Sequence, residues 1–209
     1  MKRISTKDAL QIVSDFKGSD LKEKLNKLRG GLLGKGKNNV KEPLHLYEAA
    51  LVVKRISAQI DEMVHASGII KCLPHILEDG EVIEDLSLAS GADGAGIDLV
   101  TNKRIAEFKF SIWQEDKANG MRKRQVFGDL VQLHINPSKK KKEVYVMSYT
   151  SVIKFLNGKS KWENQLSKSG SLKDKLGDYL KRNRLNYLTV NDIYNISGVE
   201  VKSIEEILK

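Results

Sequence analysis

The chain has 209 residues, and its 36 Lys and Arg against 27 Asp and Glu leave a net charge of +9. That length can bury one full core with extensions, and the basic excess favours a polyanionic partner, of which nucleic acid is the commonest for a soluble protein. A single cysteine, Cys72, excludes an internal disulfide and a cysteine-built zinc site, and the longest unbroken apolar run, Ala49 to Val53, is too short to span a bilayer.

Along the chain, Ser5 caps a first short amphipathic helix and Ser19-Asp20 starts a second, which Gly30-Gly31 should stop. No apolar core follows Met1-Lys2-Arg3 to make a signal peptide, so a cytoplasmic location is expected. Gly31 to Asn38 comes near a phosphate-binding loop, but Asn38 stands where Ser or Thr should be and no strand precedes it, so it is not an ATP site. From Pro43 to about Ala66, Leu46, Ala49, Val53, Ile56, Ile60, Met63 and Val64 recur at helical spacing and predict one long amphipathic helix. His45, His65, His75 and His134 are scattered, without a zinc-hydrolase spacing.

The segment from Gly96 to Phe110 alternates with period two around the polar pair Asn102-Lys103, which predicts a β-hairpin with its tip there. Thr101 then faces Arg104, Val100 faces Ile105, Leu99 faces Ala106 and Asp98 faces Glu107. Lys109 shares the face of Glu107, while Ile97, Leu99, Ala106, Phe108 and Phe110 are expected on the opposite, core-facing side. Two carboxylates and an ammonium thus converge on one patch of an apolar hairpin. Mg²⁺ is held through one or two carboxylates with waters and phosphate oxygens completing its shell, so Asp98 and Glu107, with the Phe108 carbonyl, are candidate ligands. Lys109 beside them could orient or help deprotonate a water and offset charge in a transition state.

Further on, Met121 to Leu133 predicts a helix whose first turn carries Arg122, Lys123 and Arg124. Cations there oppose the helix dipole and so suggest a phosphate partner. Gln125 and Gln132 lie on one face of it, Gln125 with Arg124 the better placed for a substrate. The run Lys139, Lys140, Lys141, Lys142 reads as a loop that could touch a nucleic-acid backbone, before a strand over 143–149. Beyond residue 160 the chain reads as amphipathic helices over 171–182, 190–194 and 201–208.

Asp98, Glu107, Phe108 and Lys109, behind a glycine-rich approach and in the order helix, hairpin, helix, strand, resemble the PD-(D/E)XK nuclease superfamily. Ile97 stands where that pattern often has proline, and eight residues separate Asp98 from Glu107. The resemblance implies an α/β, restriction-endonuclease-like mixed sheet flanked by helices, with extra N- and C-terminal helices: an extension over 1–40, a nuclease core over 41–158 and a helical module over 159–209. It implies a Mg²⁺-dependent DNA endonuclease, Mn²⁺ being an alternative ion, that leaves a 5′-phosphate and works as a restriction, repair or mobile-element enzyme. Asp98, Glu107, Lys109 and, from the preceding helix, Glu48 would be its catalytic residues. Double-strand cleavage would suit a homodimer. The competing expectations are a surface ion-pair patch on a non-catalytic basic DNA-binding protein, or a subunit of a nucleic-acid-processing complex.

Overall fold

The computed structural model describes residues 4–34, 45–88, 96–113 and 119–208. The chain packs as two units, 1–61 and 62–209. The first boundary therefore falls inside the predicted long helix rather than near residue 40, and residues 159–208 belong to the same unit as the sheet.

The first unit is helical. Helix α1 (Thr6–Phe16) starts at Ser5, whose Oγ accepts the Asp8 N–H at 3.1 Å. Helix α2 (Leu21–Leu32) follows and runs through Gly30-Gly31 to end at Leu32. Helix α3 (Leu46–Ile56) packs on α1, with Ala9 and Ala49 fully buried where small side chains let the backbones approach. The predicted continuous helix breaks after Ile56 into a 3₁₀ turn, Ser57–Gln59, and restarts as α4 (Ile60–Ile76). Ser57 Oγ donates to the Lys54 carbonyl, a local bond that competes with the α-helical ladder. Ile56, Ile60, Met63 and Val64 of the apolar stripe are exposed.

The second unit is built on one sheet of five strands in the order β1-β2-β3-β4-β5. Strands β1 (Ile83–Leu86), β2 (Leu99–Thr101) and β3 (Arg104–Lys109) form an antiparallel meander. The β2–β3 register, Leu99 to Ala106 and Val100 to Ile105, matches the alternation, and Thr101 Oγ1 accepts the N–H groups of Lys103 and Arg104 to tie the tip. Helix α5 (Gly120–Ile135) then carries the chain to β4 (Lys141–Val146), parallel to β3. After α6 (Tyr149–Leu156), α7 (Trp162–Gln165), α8 (Gly170–Arg182) and α9 (Val190–Ser197), strand β5 (Val199–Ser203) adds in parallel to β4, and α10 (Glu205–Leu208) follows. The predicted C-terminal helix over 201–208 is thus a strand and one short helical turn, and the segment completes the sheet instead of forming a separate module. Val199 and Val201 alternate with exposed Glu200 and are covered by the helices, which favours the strand.

The sheet is buried on both sides. Ile105, Val144, Val146, Val199 and Val201 pack under α5, α6, α8 and α9. On the reverse, Leu99, Ala106, Phe108 and Tyr145 meet Ile69 and Cys72 of α4 and Ile204. The architecture is therefore α/β, a five-stranded mixed sheet flanked by helices. Ile97 departs from expectation: it joins the α5 side with Ile105, whereas Leu99, Ala106 and Phe108 face α4. Regular β2 pairing starts only at Leu99, so the alternation does not extend back through Asp98.

A buried ion network pins the other end of β3. Arg104, 2 % exposed, donates through Nε and Nη2 to both Glu81 oxygens at 2.6 Å, and through Nη1 to Glu143 at 2.8 Å and Tyr145 Oη at 2.9 Å. Thr101 Oγ1 also donates to Glu81, and Lys202 Nζ to Glu143.

Candidate functional site

Glu107 and Lys109 stand on β3, the central strand, near its C-terminal end. Because β4 runs parallel, Lys109 lies level with Val146 and the N-terminus of β3, Arg104, lies level with Lys141. The pair faces α5. Lys109 Nζ lies 3.3 Å from Glu107 Oε2 and 2.9 Å from Asp129 Oδ2, a carboxylate on α5. Asp98 enters from the edge of the same group. Its Oδ2 accepts the Phe108 N–H at 2.8 Å, taking the place of a ladder bond just before β2 begins, and its Oδ1 lies 3.2 Å from His65 Nε2 of α4. Main-chain N–H and C=O of one strand residue point the same way, so the Phe108 carbonyl is also directed to the Asp98 side.

Three close approaches set this geometry. A Cβ on Gly68 of α4 would stand 2.5 Å from the Phe110 ring, so glycine lets α4 seat His65 against the end of β3. The His65 and Phe110 rings meet edge to face at 5.7 Å. Gly96 has φ +68°, and a Cβ there would lie 2.8 Å from Gln132 Nε2, which donates to the Gly96 carbonyl and ties the approach to Asp98 onto α5.

The cluster holds three carboxylates against one ammonium. Burial, then the charges of Asp129 and Asp98, push the Glu107 carboxyl up to about 9 despite the nearby Lys109. Burial likewise raises Asp129 in spite of Lys109. For Asp98 burial is outweighed by the His65 hydrogen bond, the Lys109 charge and the Phe108 N–H, so it stays below the ordinary carboxylate range. Burial disfavours the Lys109 ammonium, but Asp129, Glu107 and Asp98 overcome this and hold it charged. A fixed cation suits Lys109 to stabilising negative charge, not to removing a proton from water. Two neighbouring carboxyls, one kept ionised and one pushed to neutrality, mark a place where a further cation would be favoured. Among the described residues, no three His, Cys, Asp or Glu side chains form a ready-made ligand set. Two carboxylates and a carbonyl nevertheless meet the needs of Mg²⁺, which keeps waters and substrate oxygens in its remaining positions.

The other predicted residues are distributed as follows. Glu48 is in the first turn of α3, in the first unit, with a carboxylate oxygen 3.9 Å from His45 Nδ1, whereas the cluster is built wholly of second-unit residues. Arg122, Lys123 and Arg124 are half-buried in the first turns of α5, and Gln125, one turn before Asp129, is exposed. Arg122 Nη1 donates to Asn119 Oδ1, and Lys123 Nζ lies 5.7 Å from the centre of the Phe155 ring. The lysine run is at the opposite end of the parallel pair, roughly 17 Å along β4 from the level of Lys109. Three of its members are engaged: Lys140 with Glu84, Lys141 with Glu78, and Lys142 with the carbonyls of His134 and Asn136. Lys139 is exposed.

Asp129 and His65 are the site residues that sequence reasoning missed. Asp129 is the one acidic residue of α5 and shares a face with Gln125 and Gln132. His65 continues the inward stripe of Ile69 and Cys72 on α4 at helical spacing. Cys72 itself is fully buried, which pushes its thiol up to about 11 and makes it a core residue.

Comparison with family models, curated proteins and solved structures gives no match. Among the described residues, no helix is long and apolar enough to cross a membrane.

Proposed function

We propose that this chain is a Mg²⁺-dependent endodeoxyribonuclease with a restriction-endonuclease-like core. The observation that carries this reading is the meeting of Asp98, Glu107 and Lys109 at the C-terminal end of the central strand, where the single Lys109 ammonium faces three carboxyls and Glu107 is buried. The order α4, β1-β2-β3 meander, α5, parallel β4 supports it, as does the +9 charge. Asp98, Glu107 and the Phe108 carbonyl would hold the ion, which when bound supplies Lewis-acid polarisation of the phosphate and an activated water. The chain's own contribution is orientation and charge. Asp98 is locked by the Phe108 N–H and His65, and Lys109, steadied by Asp129, offers a permanent positive charge to the phosphate as it gains negative charge. Cutting both strands of a duplex would call for two copies of the chain.

A plasmid-nicking assay tests this. Mg²⁺ or Mn²⁺ should convert supercoiled DNA to nicked or linear forms, EDTA should stop the reaction, and Asp98→Ala should abolish it. Lys109→Ala should slow cleavage by about 10²-fold, the scale of losing one preorganised charge in a transition state. Binding without cleavage under both ions would instead make the chain a non-catalytic DNA-binding protein.

A further inference from the structure

A cleft of about 590 Å³ opens beside this site, between the start of α5 and α6. Lys123, Lys154 and Lys159 line it together with Ser151, over a floor made by Trp113 and Phe155, and among the described residues no carboxylate does. The two aromatic rings are tilted against each other at 6.0 Å and largely buried, so they form an apolar base and not a stacking platform. Lys123 is held over the Phe155 ring. Lys154 and Lys159 are exposed, and among the described residues no side chain makes an ion pair or hydrogen bond with either ammonium. The first turns of two helices meet here. Asn119 stands at the N-cap of α5 with its Oδ1 accepting from Arg122, and Ser151 lies in the first turn of α6, so both positive helix ends add to the lysines.

The place of the cleft matters as much as its charge. Trp113 follows Lys109 by four residues and donates its N–H to Ser148 Oγ, just past the end of β4. Lys123 precedes Asp129 by six residues on α5, roughly 9 Å along the axis, on the order of three base steps of a duplex. The cleft and the carboxylate cluster thus occupy the same end of the sheet, where the parallel strands of α/β folds present ligands.

We propose that this cleft is the substrate-backbone subsite: it takes consecutive phosphates of one DNA strand a few nucleotides from the bond to be cut. Lys123, Lys154 and Lys159 make the phosphate contacts. The inference rests on the nuclease reading of the neighbouring cluster. It also moves the main backbone contact away from the lysine run at 139–142, most of which is engaged within the fold.

The test is anisotropy of a fluorescein-labelled DNA duplex with the full-length chain in EDTA, where no cleavage occurs, at salt from about 50 to 200 mM. The triple variant K123Q/K154Q/K159Q should bind at least about tenfold more weakly, and its salt dependence should flatten by about 0.9 in log-log slope for each lysine lost. The triple variant K7Q/K22Q/K27Q, which removes the same charge from α1 and α2, should bind as the parent does. Equal losses in both would overturn the proposal, since net charge alone would then be at work. Lys154→Glu, at an exposed position and with its thermal melt checked against the parent, should give a larger loss than Lys154→Gln; parental binding by both would also overturn it. The two readings fail separately. A chain that binds through the cleft but cleaves with neither Mg²⁺ nor Mn²⁺ loses the nuclease reading, and a cleaving chain whose cleft variants bind normally loses this one.

Discussion

Glu107 is ionisable, almost fully buried and placed between two other carboxylates, and that arrangement makes it a stability cost as well as a tool. Its carboxyl ordinarily titrates at 4.5 and is pushed up to about 9 in the fold. Between those values the unfolded chain has released a proton that the folded chain keeps, so this group makes stability fall as pH rises through the window. Glu107→Gln should therefore melt above the parent at pH 8, with the gap closing towards pH 4, in thermal scans by circular dichroism. Mg²⁺ should raise the parent's melting temperature at pH 8 and leave that of the variant unchanged, because the ion would find only one carboxylate in place. Arg104 has the opposite sign. Burial raises Glu81, but the hydrogen bonds from Arg104 and Thr101 prevail and draw it down to about 2, so its contribution is present above its ordinary 4.5 and is lost as pH falls towards 2. Arg104→Ala leaves the buried Glu81 without its cation, with only Lys202 left to Glu143, and should cost about 3–5 kcal/mol in urea unfolding.

At the scale of elements, the seating of α4 on β3 depends on one missing side chain. Gly68→Ala would drive a methyl into the Phe110 ring, and overpacking of this kind costs about 1–3 kcal/mol. The loss should appear in the melting temperature and be reduced in G68A/F110A, where the obstructing ring is gone. The hairpin itself was legible because period-two alternation and a polar tip act between near neighbours in sequence, and its register followed. The helix α5 was legible for the same reason, whereas β4 was expected two residues late: Lys141 and Lys142, read as loop, are its first two residues, and Tyr149, read as strand, starts α6. Asp129 was not, since nothing in α5 alone says that its carboxylate meets an ammonium from a strand. Ile97 and Leu99 lie two apart, yet face opposite sides, because the chain turns at Asp98 to deliver its carboxylate to the Phe108 N–H. Asp98 was singled out by its pattern, but the side-chain bond that fixes it is a tertiary fact.

For the whole molecule, the C-terminal residues are structural. Val201, Ile204, Ile207 and Leu208 mimic helical spacing, so the sequence alone favours a helix there; pairing with β4 and burial of Val199, Val201 and Ile204 override that local pattern. Truncation after Gly198 would strip β5 from β4 and expose an apolar strand edge. The truncated chain should be recovered as aggregate in sedimentation or size-exclusion runs, whereas removal of a detached module would leave it soluble. Glu48, which the resemblance adds to the site, belongs to the first unit, whereas Asp98 and Glu107 belong to the second.

The central position of β3 also has a kinetic consequence. Its neighbours β2 and β4 bond it from both sides and helices cover both faces, so the strand that carries Glu107 cannot open without opening the core. In hydrogen–deuterium exchange the amides of Ile105, Ala106 and Glu107 should be among the last to exchange, at rates set by global unfolding. On the proposed nuclease reading, Glu107 and Lys109 would meet a substrate already rigid, with adjustment confined to the nucleic acid and to the proposed lysine contacts.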